Sequence, residues 1–317
     1  MVWALASLGL LILLLAGDAL VKGAVNVSLR LGVPALIVSL TIVAFGTSAP
    51  ELLISVNAVL DEAPGIALGN VVGSNTANIL LVLGVPAILA TMHSSECETR
   101  KSYVLMLLAS VLFIALAFTG SFQWWSGLIL LGVLAAILAE NLWELRRHRR
   151  QAAKAPDVAE EEVEGADPDM PWWQILVYLA LGLVGLPLGA DLLVDNASRI
   201  ARMYGITETV IGLTLVAVGT SLPELATTVM AALRRQADVA LGNVIGSNMF
   251  NLLAIIGIAS LVGPIPVDDQ FLQFDLWVML GASLLLVPFV FLRMDIIRPW
   301  GVGLTAAYAA YVFVVLN

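Results

Sequence analysis

Gly46-Thr47-Ser48-Ala49-Pro50-Glu51 places a carboxylate, two hydroxyls and a proline inside an apolar run, with Leu36 to Phe45 before it and Leu52-Leu53-Ile54 after it. If that run crosses a bilayer, Glu51 lies well inside the hydrocarbon, where an uncompensated charge costs at least ~3 kcal/mol. The pattern returns 173 residues later as Gly219-Thr220-Ser221-Leu222-Pro223-Glu224, again in an apolar run. Two intramembrane carboxylates related by an internal repeat point to the cation site of a transporter.

The repeat extends without a gap. Ala16-Gly17-Asp18 aligns with Gly189-Ala190-Asp191, and Leu40-Thr41 with Leu213-Thr214. Ala67-Leu68-Gly69-Asn70-Val71-Val72-Gly73-Ser74-Asn75-Thr76-Ala77-Asn78 aligns with Ala240 to Asn251, and nine of the twelve positions are identical. Apolar helices match by chance at Leu, Val and Ala; ordered Gly, Ser and Asn matches do not arise that way.

Composition sets the class. The chain has 317 residues, 60% of them hydrophobic and 12% charged, where a soluble domain carries about a quarter charged. A polytopic, all-α membrane protein is expected. The single cysteine, Cys97, excludes an intrachain disulfide and a cysteine metal cluster. His93 and His148 fall in polar stretches, so no His or Cys joins a carboxylate in a nucleophile–base set, and an enzyme is not expected. The net charge of −9 is partly local: Asp157, Glu160, Glu161, Glu162, Glu164, Asp167 and Asp169 form one acidic run, read as a solvated linker.

A spanning helix needs about 20 apolar residues. Ten segments qualify, at about 2–21, 33–58, 65–91, 102–119, 124–144, 172–194, 206–232, 238–263, 272–292 and 299–316. No basic residue precedes the first run, so it reads as a transmembrane helix and not a secretory signal. The expected organisation is a five-helix repeat at 1–145, a cytoplasmic linker at 146–171 and a second five-helix repeat at 172–317. With the Arg-rich linker inside, every Lys and Arg except Arg199 and Arg202 falls on the inner side. Both termini are then outside. An odd number of helices per half makes the two repeats inverted.

The chemistry follows from residue type. Pro50 cannot donate to the carbonyl four residues back, so carbonyls at Ala44 to Gly46, and at Ala217 to Gly219, are expected to be freed. In lipid such a carbonyl needs a partner or a cavity. On a continuous helix Thr47, Ser48 and Glu51 would share a face. With Thr220, Ser221 and Glu224 they make a set of hard oxygen ligands, suited to Ca²⁺ or Na⁺. Ser74, Asn78, Ser247 and Asn251 read as further ligands. Asn75 and Asn248 read as helix-packing groups. Asp18 and Asp191 read either as interfacial charges near their helix ends or as gating residues.

With these residues in place, the two stretches resemble the paired alpha-repeats of the sodium/calcium exchanger family, of prokaryotic type, within the cation/calcium antiporter superfamily. The marks are Gly-Thr-Ser-x-Pro-Glu and Gly-Ser-Asn-x-x-Asn, both in duplicate. The resemblance implies ten helices and four ion sites near the bilayer middle. Glu51 and Glu224 would stand at the centre, ringed by Thr47, Ser48, Ser74, Asn78, Thr220, Ser221, Ser247 and Asn251. The carbonyls of Ala44 and Ala217 would complete them. It also implies that helices 1 and 6 slide to alternate access. The chain departs from several relatives at Asn251, where they carry Asp, and it lacks the further Glu that proton-coupled members place in the Gly-Asn segment.

The expected function is antiport of Na⁺ against Ca²⁺ in a prokaryotic inner membrane. H⁺-coupled antiport and a cation channel are the competing readings. No cofactor and no nucleic-acid partner are expected. The expected partners are Ca²⁺, Na⁺ and the lipid bilayer, with the chain acting as a monomer.

Overall fold

The computed structural model describes residues 1–152, 167, 169–205 and 217–316. The fold is helical. Its elements are α1 (Val2–Leu31), α2 (Ala35–Thr47), α3 (Ala49–Leu60), α4 (Pro64–Leu89), α5 (Arg100–Ala117), α6 (Trp124–Ala152), α7 (Trp172–Met203), α8 (Leu222–Leu233), α9 (Ala237–Val262), α10 (Phe271–Phe291) and α11 (Arg298–Leu316), with a short turn at Ala217–Gly219. Among the described residues seven helices are long and apolar enough to cross a membrane, and α2 with α3 makes an eighth, bent by 44°. Residues 206–216 of the expected seventh segment, and 153–166 and 168 of the linker, lie outside the described residues.

Several helices outrun the segments expected for them. α1 continues past residue 21 to Leu31 and α7 past residue 194 to Met203. Hydropathy reads bilayer thickness, but a helix ends only where the chain can turn. Gly32 takes a left-handed φ of 64° ahead of Pro34, and Gly205 takes a φ of 78°, the usual glycine stop after a helix. Asp18 and Asp191 are therefore in mid-helix, not near helix ends. The expected continuous helix over 33–58 is also corrected. Ser48 leaves the helix with φ −86° and ψ 5°, and Pro50 begins α3, a position where its missing N–H costs nothing.

α4 and α9, which carry the repeated Gly-Asn stretches, are the most buried spans, with 78% and 89% of their apolar windows buried against 33% for α7. α1 and α7 lie antiparallel along each other. Their seam is built on small residues: a Cβ at Gly9 would meet the Gly189 carbonyl at 2.9 Å, and one at Gly182 would meet Leu20 Cα at 2.9 Å. Such backbone proximity is the small-residue mode of packing in membranes. The chain is also stitched at both ends of the bundle. Met92 pairs with Ile296 at one end, and Ser121–Phe122 pairs antiparallel with Ile265–Pro266 at the other. Ser94 Oγ adds a bond to the Met294 carbonyl (2.7 Å) and Asp295 pairs with His93 (3.0 Å).

The seam makes a direct prediction. Gly182→Leu forces atoms onto the Leu20 backbone and is expected to destabilise the protein by about 2–3 kcal/mol, read as a lower Tm in detergent. Gly132→Ala, whose Cβ meets nothing within 4 Å, is expected to leave Tm within a degree or two, as surface changes of about ±0.5 kcal/mol do.

Candidate functional site

The helix break brings the repeated motif to a point. Glu51 sits in the first turn of α3 and Glu224 in the first turn of α8, where the helix dipole favours negative charge. Ser48 and Ser221 occupy the preceding cap positions, yet neither hydroxyl caps its helix. Both hydroxyls are left for the centre of the protein. Glu51 is 1% exposed and Glu224 0%, so two carboxylates are enclosed in an apolar bundle.

Contacts between the halves assemble the rest. Ser48 Oγ donates to Glu224 Oε1 at 3.1 Å. Thr47 Oγ1 lies 3.4 Å from Ser247 Oγ, 3.3 Å from Asn243 Oδ1 and 3.3 Å from the Ala44 carbonyl. Asn78 Nδ2 donates to Asn248 Oδ1 at 3.0 Å. Ser74, Ser247, Asn251 and Ser221 are all buried, while Thr220 is half-buried. The structure thus joins Thr47, Ser48, Glu224 and Ser247 directly, links Asn78 to Asn248, and buries Glu51, Ser74, Ser221 and Asn251.

What these groups do not touch is as informative. Among the described residues Glu51 Oε1 and Oε2, Glu224 Oε2, Asn78 Oδ1, Ser221 Oγ and both polar atoms of Asn251 are buried without a hydrogen-bond partner. Native interiors seldom leave such atoms unpaired. Of the ten such atoms among the described residues, eight belong to the two repeated motifs, Asn75 Oδ1 with the seven above; Asn196 Oδ1 and Asp238 Oδ1 lie outside them. No group of three or more His, Cys, Asp or Glu side chains gathers among the described residues, so the donor set is mixed: two carboxylates with amides and hydroxyls. That chemistry suits a hard cation.

Two expectations need correction. The Ala44 carbonyl is not bare, since it accepts the Ser48 amide at 3.1 Å as well as the Thr47 hydroxyl. This is an ordinary bond to the carbonyl four residues back, and Pro50, which lacks only the donor to Gly46, does not remove it. In the second copy the Ser221 amide turns to the Val218 carbonyl instead, at 3.1 Å, so Ala217 does not receive it. Asp18 and Asp191, expected near helix ends, stand instead in mid-helix on α1 and α7. Asp18 pairs with Lys22 and Arg234, and Asp191 is exposed on α7.

Sequence reading missed the residues that hold the carboxylates in place. Asn70 Nδ2 donates to the Glu51 carbonyl (3.3 Å) and to Ser55 Oγ (3.0 Å). Asn243 Nδ2 donates to the Glu224 carbonyl (3.3 Å) and to Thr228 Oγ1 (3.1 Å). The two sets sit at the same 173-residue offset as the glutamates. The duplicated Asn inside an apolar helix was the available signal. Asn75 and Asn248 behave as packing groups, each donating to the other's carbonyl, at 3.2 and 3.4 Å. Immediately after these crossings, α4 and α9 each open into one wide π turn, Asn78–Val82 and Asn251–Ile255, a feature that recurs at functional sites.

Asn243→Ala is expected to cost about 1–3 kcal/mol through the buried bonds it loses to the Glu224 carbonyl and to the Thr228 and Thr47 hydroxyls. Asn70→Ala, whose side chain is only partly buried, is expected to cost less. Paired thermal unfolding in detergent reads the order.

Comparison with known proteins agrees with this geometry. Residues 1–143 and 174–317 match the family model described as sodium/calcium exchanger protein. The chain is 36% identical over 336 residues to the sodium/calcium exchanger MaX1 of Methanosarcina acetivorans, covering 97% of this chain and 96% of that one. It is 36% identical over 280 residues to a putative antiporter, CaxA, of Alkalimonas amylolytica, covering 88% and 86%. Among solved structures, the sodium-calcium exchanger NCX_Mj soaked with zero Na⁺ and Ca²⁺ superimposes with a TM-score of 0.80 at 32% identity, over 99% of this chain and 98% of that one.

Proposed function

The chain belongs to the sodium/calcium exchanger protein family, and from that premise we propose that it exchanges Na⁺ for Ca²⁺ through one buried site centred on Glu51 and Glu224. It is a multi-pass membrane transporter of the cation/calcium antiport class. The observation that carries the finer reading is the cluster of unpartnered oxygens on Glu51, Asn78, Ser221 and Glu224. An ion bound among them would satisfy atoms that the protein leaves unpaired.

Thr47, Ser48, Ser74, Thr220, Ser247, Asn251 and the carbonyl of Ala217 complete the proposed ligand shell; the Ala44 carbonyl, which already accepts two bonds, is left out of it. Both ions need the two carboxylates, so they compete, and alternating access couples their fluxes. Extracellular ion exchange with binding-site occlusion is described for NCX_Mj, and the buried glutamates here suit an occluded site. The two carboxylates give the site a charge of −2. One Ca²⁺ neutralises it and three Na⁺ leave +1, so three-for-one exchange would move net charge. The proposed frame is ten membrane helices as two inverted five-helix repeats, at 1–145 and 172–317. Both termini lie outside a prokaryotic inner membrane, and the 146–171 linker is cytoplasmic. Among the described residues no third carboxylate joins the two glutamates, which favours Na⁺ over H⁺ coupling.

The test is Ca²⁺ uptake into proteoliposomes loaded with Na⁺ and diluted into choline, K⁺ or acidic medium. Uptake driven by outward Na⁺ is expected. Glu51→Gln and Glu224→Gln are each expected to cut it by more than about a hundredfold, beyond the loss typical of an outer-shell change. Uptake that follows a proton gradient and ignores Na⁺ would replace the coupling ion. Uptake needing no counter-ion would replace the transport class.

A further inference from the structure

We propose that the Asp18–Arg234 ion pair is a one-sided latch: it holds α1 against α8 at one end of the bundle, and the residues at the equivalent positions of the opposite end are all acidic. The inference rests on the alternating-access reading above and adds a resting preference to it.

The latch joins the two elements that must part for that end to open. Arg234 follows the last turn of α8, and its guanidinium Nε donates to Asp18 Oδ1 on α1. Lys22 Nζ reaches the other oxygen of Asp18 at 3.0 Å. Both members of the Asp18–Arg234 pair are largely withdrawn from water, at 21% and 19% exposure. One residue before Asp18, the backbones meet: a Cβ at Gly17 would lie 3.0 Å from the Ala226 carbonyl of α8. Beyond the pair, Arg30 clasps the Met170 carbonyl through Nε and Nη2, at 3.1 and 2.7 Å.

The 173-residue offset assigns each latch residue a counterpart at the other end. Asp18 corresponds to Asp191, Lys22 to Asp195, Arg234 to Asp61 and Arg235 to Glu62. The backbone there is duplicated closely. Glu62 has φ 59° and Arg235 φ 55°. The Ala63 amide bonds the Ala58 carbonyl at 2.8 Å, just as the Gln236 amide bonds the Ala231 carbonyl at 2.8 Å. Only the charges differ. An acid with three bases at the first end becomes four acids at the second. The basic residues of the second end, Arg199 and Arg202, follow Asp195 on α7 and replace none of these positions. Carboxylates facing one another repel, so closure of α7 onto α3 brings like charges together. The structure has the corresponding asymmetry: α1 packs along α8, whereas α7 stands off α3.

The functional consequence is a preference. Without bound ions the chain rests with the Asp18–Arg234 end shut and the acidic end available to cations. In the proposed orientation the shut end is cytoplasmic.

The experiment uses the full chain in detergent with Cys97→Ser and Val21→Cys. Val21 is fully buried, one turn beyond Gly17 toward the latch. The rate of labelling by a bulky, charged thiol reagent then reports opening of that end. Arg234→Gln and Asp18→Asn are each expected to raise the rate about fivefold, the effect of an ion pair at the top of the exposed range. Arg234→Lys, which keeps the charge, is expected to stay near the parent rate. Asp61→Arg, which gives Asp191 a partner, is expected to raise it. Unchanged rates in both neutralised variants, or an equal rise in Arg234→Lys, overturn the latch. If Ca²⁺ alters labelling equally in parent and Arg234→Gln, the latch fails and alternating access survives. If neither Ca²⁺ nor Na⁺ alters labelling in any variant, both fail.

Discussion

The whole structure depends on keeping two carboxylates away from both water and lipid. An ionised carboxylate in such surroundings costs several kcal/mol unless its oxygens are satisfied. The chain meets this cost only in part. It sets each glutamate in the first turn of a helix, where the dipole opposes desolvation, and it gives Glu224 the Ser48 hydroxyl. It gives Glu51 no hydrogen-bond partner for either side-chain oxygen among the described residues. A fold selected only for stability would fill that space with apolar side chains. In the proposed exchange, that unmet demand is what would let an ion bind and leave.

The surrounding architecture follows from holding this centre still. Asn70 and Asn243 grip the glutamate carbonyls from α4 and α9, the two most buried spans. Those helices lock to one another through the exchanged Asn75 and Asn248 bonds. By contrast, α1 and α7 touch mainly each other along a glycine-rich seam, with much of their outer surface exposed. The molecule therefore divides into a polar-bonded core and a pair of helices held by packing and by a few ion pairs. Parts joined by dispersion can shift without breaking directional bonds; parts joined by buried hydrogen bonds cannot.

Sequence reading recovered most of this because the decisive residues are polar exceptions in an apolar chain, and they occur twice. Glu51 and Glu224, Ser48 and Ser221, Asn78 and Asn251 were visible for that reason. The helix break at Ser48 was misjudged as a kink, since a proline reads alike in mid-helix and at a helix start. The lengths of α1 and α7 were underestimated because Lys22 and Asp195 end a hydrophobic run without ending a helix. The Asn70 and Asn243 contacts were unseen because they depend on which helix lies beside which. The charge reversal from Arg234 to Asp61 was in the sequence throughout. It acquired meaning only when Asp18 was found beside Arg234.

Asn251 decides how the proposed exchange handles charge. Its side chain is buried with neither polar atom partnered, so it can offer a carbonyl oxygen but adds nothing to the charge of −2 on the two glutamates. A single Ca²⁺ brings the centre to neutrality in one step. Na⁺ reaches the same point with two ions, and a third must then enter a centre that no longer attracts it. A carboxylate at position 251 would remove that penalty and leave the Ca²⁺-loaded centre at −1. With asparagine, in the three-for-one exchange proposed above, the third Na⁺ would be the weakest-bound ion and the one that carries the net charge. Its movement across the bilayer is worth about 2.3 kcal/mol per 100 mV, as much as the difference between a well-bound and a barely bound ion. Three-for-one exchange would move one net charge with either residue at position 251; the amide would place that charge on the Na⁺-loaded step instead of the Ca²⁺-loaded one, so the membrane potential would act where Na⁺ is carried.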